Sequence, residues 1–114
     1  MALARSFKET VIERVNRDPA FAKALLDEAG TLFLNGEAET ARLILRDLVN
    51  ATIGFEALAR LIPTPSKSLH RMLSQRGNPS MDNIAAIFSA LSKSLNVRIE
   101  TTVVEAQRKK RAMA

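Results

Sequence analysis

The chain reads as all-α: a bundle of about five helices containing a helix-turn-helix, with a short C-terminal strand that pairs across a dimer. Three observations predict this. Apolar residues recur at helical spacing along most of the length, proline and glycine breaks cut them into short segments, and only VRIETTVV near the end alternates with a period of two. At 114 residues the chain is one domain's worth, enough for a modest core without disulfide or metal.

The first helix, about ten residues long, starts at Ser6 as N-cap, with Glu9 completing a capping box and Phe7, Val11, Ile12 and Val15 forming its stripe. Asp18 followed by Pro19 opens a second helix, because proline at the first helical position loses no hydrogen bond. Phe21, Leu25, Ala29, Leu32 and Phe33 share one face of it, and Gly30 predicts a kink or an early end. Asn35 and Gly36 both tolerate the left-handed conformation of a helix stop. A third helix follows from about Glu37 to Ala51, burying Ala41, Ile44, Leu45 and Leu48.

The stretch from Gly54 to Ser80 holds the helix-turn-helix. Phe55, Leu58, Ala59 and Ile62 mark its first helix, and Leu69, Met72 and Leu73 the inner face of its second. Small Ala59 falls where the two helices cross closely, and Leu69 where the second plugs into the first. At the corner, where glycine is usual, stands Pro63, which fixes its own φ near about −65° and pushes Ile62 out of helical conformation. The first helix should therefore stop at about Leu61, with Thr64 capping and Pro65 opening the next, which runs to about Gln75. The loop from Gln75 to Pro79 leads to Ser80, the cap of a helix carrying Ile84, Ile87, Phe88, Leu91 and Leu95. In VRIETTVV, Val97, Ile99, Thr101 and Val103 alternate with polar residues, giving a strand for which the chain offers no second strand. Its bare edge is expected to pair with a second copy or another protein; an irregular extension lying on the helices is the alternative. Residues 1–104 thus form a single domain (1–53 support, 54–80 helix-turn-helix, 81–104 packing helix and strand), and 105–114 a basic flexible tail.

Charge is unevenly distributed. The net of +5 divides into −1 for residues 1–53, +3 for 54–80, zero for 81–104 and +3 for 105–114, so the excess sits in the helix-turn-helix and the tail. There is no cysteine, tryptophan or tyrosine, and only one histidine. Thiolate metal sites and cysteine nucleophiles are excluded, no metal-ligand cluster is seen, and the four scattered glycines form no phosphate-cradling loop. Neither an enzyme nor a cofactor is expected. A charged N-terminus and the lack of any apolar run of about eighteen residues point to the cytoplasm, away from membranes and secretion.

The outward face of the second motif helix carries Ser66, Lys67, His70, Arg71 and Ser74, cations and hydrogen-bond donors suited to phosphates and base edges in a DNA groove. Each also has a plainer reading: Lys67 and Arg71 as solvated surface, His70 as a lid over the core. Arg76, Asn78 and Ser80 precede a helix N-terminus, where phosphate is favoured and where ordinary capping is equally expected. Arg108, Lys109, Lys110 and Arg111 suit either the DNA backbone or a solubilising tail. The slightly acidic N-terminal helices are the surface for a protein partner, or simply scaffold.

The segments DPAFAKALLDEA, LILRDLVNATIGFEALARL and SLHRMLSQRGNPSMDNIAAIFSAL resemble the HigA-like antitoxins, the addiction-module antidote group of Cro/cI-like (Xre) helix-turn-helix regulators. The resemblance spans about residues 18–104. It implies an operator-binding homodimer that represses its own operon and binds a cognate toxin protein; no small-molecule substrate is implied. A stand-alone repressor without a toxin and a protein-interaction adaptor that has lost DNA binding are the alternatives.

Overall fold

The Asp18–Pro19 start, the Asn35–Gly36 stop and the Ser80 cap translate directly into structure. In the computed structural model, residues 7–106 are described, with side chains from residue 9 onward. The described chain is all-helical, with six helices in place of about five: α1 (Phe7–Arg17), α2 (Pro19–Leu34), α3 (Ala38–Ala51), α4 (Gly54–Leu61), α5 (Ser66–Met72) and α6 (Met81–Leu95). None is long and apolar enough to cross a membrane.

Asp18 accepts a hydrogen bond from the Ala20 N–H at 3.1 Å, and Pro19 takes the first turn of α2 as its missing donor allows. That helix runs unbroken through Gly30, contrary to the expected kink or early end; a β-carbon at Gly30 would lie in ordinary contact with Phe88, 3.8 Å away. It stops at a Schellman closure. The Gly36 N–H reaches the Phe33 carbonyl at 3.2 Å, the Glu37 N–H reaches that of Leu32 at 2.8 Å, and Gly36 supplies φ 90°. The same closure ends α6, with Asn96 at φ 58° and the Val97 N–H on the Ser92 carbonyl at 2.9 Å. The Ser6 cap lies outside the described residues.

Burial organises these helices around one apolar core. Val11 and Val15 of α1, Leu26 and Ala29 of α2, Leu45, Leu48 and Val49 of α3, Leu58 of α4, Leu69 of α5, and Ile87 and Leu91 of α6 meet there. No described polar or charged residue is buried with them. On α2 the innermost line is Ala22, Leu26 and Ala29, one position round from the expected Phe21 and Leu25 face. Alanine at Ala22 and Ala29 lets α3 approach closely, while Phe21, Leu25 and Phe33 pack at the margin. Phe33 meets Phe88 edge-on, ring centres 5.8 Å apart, joining α2 to α6.

The C-terminal segment differs from expectation. The strand does not form in the single chain: residues 97–106 have neither helix nor sheet pairing, since no second strand is available to them. Val97 packs on the core's edge, and beyond it every residue to 106 is exposed. Leu34 and Met81, 64% and 72% exposed, leave apolar surface at the α2–α6 end of the bundle.

Candidate nucleic-acid interface

The corner of the helix-turn-helix follows from its prolines. Ile62 closes α4, its N–H on the Leu58 carbonyl at 2.9 Å, with extended dihedrals of φ −113° and ψ 108° that a residue before proline prefers. Around Pro63 the chain reverses tightly, and the Thr64 N–H returns to the Ile62 carbonyl. Contrary to the sequence expectation, Thr64 does not cap α5; no side chain does. Pro65 itself stands at the cap position, and its carbonyl accepts from the Ser68 and Leu69 N–H groups at 2.9 and 3.1 Å.

That leaves α5 at seven residues, shorter than the expected Pro65 to Gln75. Its end is set by packing. Leu73 is wholly buried and leaves the helical path, and Gly77 comes so close behind that a β-carbon there would lie 2.2 Å from the Met72 carbonyl oxygen. Only glycine fits that approach. From α3, Arg42 reaches across to donate through Nε to the Ser74 carbonyl at 3.1 Å and through Nη2 to that of Gln75 at 2.8 Å. Gln75 in turn donates to Glu39 at 3.0 Å. A guanidinium placed on these turn carbonyls holds the chain just past α5 and sets a positive charge near the helix's C-terminal end, which favours its dipole.

With Leu69 and Leu73 facing inward, helical geometry turns Lys67 and Arg71 directly away, and both are exposed. Neither they nor Arg76 forms an ion pair among the described residues; Arg71 has only a long contact of 3.5 Å to the Ser68 hydroxyl. His70 lies with its ring stacked on buried Phe55, centroids 3.8 Å apart and planes 21° from parallel. It covers the α4–α5 contact while keeping an exposed edge. Ser66 is half-buried at the start of the helix. Ser74 lies past its end, with its hydroxyl donating to the Arg71 carbonyl at 2.8 Å, so it belongs to the turn and not to the outward face.

Beside that face lies an open cleft of about 430 Å³. It gathers Arg71 from the first expected group and Arg76, Asn78 and Ser80 from the second, together with Ser68 and Asn83, which the sequence did not single out. Ser80 acts as the cap of α6, its hydroxyl oxygen accepting from the Asn83 N–H at 3.1 Å. The first turn of this fifteen-residue helix therefore opens onto two guanidinium-bearing side chains. Arg108, Lys109, Lys110 and Arg111 lie outside the described residues. Among the described residues no group of carboxylates and histidine could hold a metal ion.

Besides Ser68 and Asn83, sequence patterning missed Arg42, Glu39 and Gly77. Compared with known proteins, the chain matches no family model, no curated protein and no solved structure.

Proposed function

We propose that the protein is a sequence-specific DNA-binding transcriptional regulator, using α5 in the major groove and the Arg71–Arg76 cleft on the flanking phosphates. The observation that carries this reading is the pair Lys67 and Arg71, exposed and without carboxylate partners opposite the buried Leu69 and Leu73. A guanidinium without a carboxylate partner is available for bidentate pairing with guanine, and the cleft's cations for phosphate oxygens. Ser74 and Ser80 contribute mainly by holding the turn and the cap; His70 rides beside the groove on Phe55.

The resemblance in sequence extends the proposal: the operator is the protein's own, and the regulator is the antitoxin of a type II toxin–antitoxin pair in the cytoplasm. Two copies joined through Val97, Ile99, Thr101 and Val103 of each would set two recognition helices about 34 to 36 Å apart on a palindromic site. The test combines gel retardation of the protein's own upstream DNA with affinity capture from cells. Retardation that weakens steeply with salt, together with a co-purifying small basic protein, is expected. Failure to retard that DNA at low salt refutes DNA regulation and leaves an adaptor; retardation without a protein partner leaves a stand-alone repressor.

A further inference from the structure

On the other side of the Asn78–Pro79 loop from the cleft, α2, α3 and α6 enclose an apolar groove of about 400 Å³, lined by Leu34, Ala38, Met81 and Phe88 and edged by Ile99 and Thr101. Its apolar walls and the exposure of Leu34 and Met81 mark a surface made to be covered. The groove's edge is the C-terminal segment, and two of that segment's residues spaced by two face it, as in an extended chain. Farther along, Val103 and Val104 are 97% and 76% exposed, with nothing of their own chain to pack on.

We infer that the groove is the seat of the same segment from a second copy, paired antiparallel and centred on Thr101. This rests on the strand-paired dimer proposed above and specifies its register. Centred on Thr101, each Ile99 lies opposite a Val103, on the face that looks over Leu34 and Met81, and threonine meets threonine at the two-fold axis. Such pairs favour a ladder. A centre at Glu100 sets two carboxylates against each other, and a centre at Arg98 two guanidiniums, which disfavours both. A centre at Ile99 leaves Val103 and Val104 bare. Arg98 and Glu100 of one chain already pair with each other, and in this register they lie across from Val104 and Thr102 of the second copy, so no like charges are opposed.

The chain contains no cysteine, so one introduced cysteine reports the register cleanly. Thr101→Cys brings two sulfurs together across the axis, because directly opposed residues lie about 4.5 to 5.5 Å apart, within disulfide reach. Arg98→Cys, six residues from its partner along the strands, sets them about 20 Å apart. Full-length Thr101→Cys is expected to oxidise mostly to dimer, and Arg98→Cys at least ten-fold less. Leu34→Glu and Met81→Glu are expected to weaken self-association in sedimentation at least ten-fold with helical circular dichroism unchanged, both side chains being exposed in the single chain. A dimer that fails to cross-link at Thr101, or that tolerates both glutamates, overturns the groove seat and leaves a dimer of another kind. A monomer at about 100 μM overturns the seat and the strand pairing together, and assigns the groove to a different protein. Retardation of upstream DNA by the same samples reads the DNA-binding proposal separately.

Discussion

The two helices of the candidate interface are built by opposite means. α6 has fifteen residues, a serine cap at one end and a left-handed asparagine closure at the other, so nearly every element of it is written in its own segment. α5 has seven residues and no side-chain cap, too few to persist alone, and it exists because Leu69 and Leu73 are buried and because Arg42 and Gly77 shape the chain beyond it. The recognition surface is therefore a tertiary product resting on a locally encoded helix. Its placement can be altered from α3, a helix that carries none of the residues assigned to DNA contact.

Substitutions should separate the two modes of construction. The largest effect belongs to Leu69→Ala: removing a fully packed leucine is expected to lower unfolding free energy by about 2 to 5 kcal/mol, read by urea denaturation. Arg42→Ala comes next. Loss of two charge-assisted hydrogen bonds at a partly exposed site should cost about 1 to 2 kcal/mol, and should weaken operator binding beyond the loss of stability because α5 is no longer held; equal operator affinity would show that the clamp does not position the helix. Ser80→Ala removes the cap of α6 and is expected to cost about 1 kcal/mol, with hydrogen exchange quickening at the α6 N-terminus and not in α5. The smallest change is a gain. Gly30→Ala in the middle of α2 finds 3.8 Å to Phe88, so stability should rise by up to about 1 kcal/mol in thermal unfolding.

What was legible in the sequence follows the same division. The Asp18–Pro19 start, the Asn35–Gly36 stop and the Ser80 cap are features of neighbouring residues, and the hydrogen bonds found there span two to five positions. The stop of α4 before Pro63 was legible for the same reason, since proline constrains only the residue before it. Thr64 was misjudged because a cap also needs the first turn of the helix presented to it, and Pro65 occupies that place. The Arg42 contacts join residues 32 and 33 positions apart, and no periodicity within α3 distinguishes an arginine that reaches across from one in solvent. Gly77 carries a steric requirement imposed by the end of α5, which nothing in its own neighbourhood expresses. The C-terminal alternation was read as a strand because side-chain pattern is local, whereas a strand needs a partner edge that one chain does not supply.

The central claim is that the exposed Lys67–Arg71 face of α5 reads DNA, and its most direct measurement is the affinity of the Lys67→Ala and Arg71→Ala variants for upstream DNA beside the wild type, at matched salt. Because neither side chain is buried, both variants should keep wild-type stability. Arg71→Ala is expected to lose about 1 to 3 kcal/mol of binding together with discrimination at one base pair, and Lys67→Ala a smaller amount. Two folded variants that bind and discriminate as the wild type does would contradict the account.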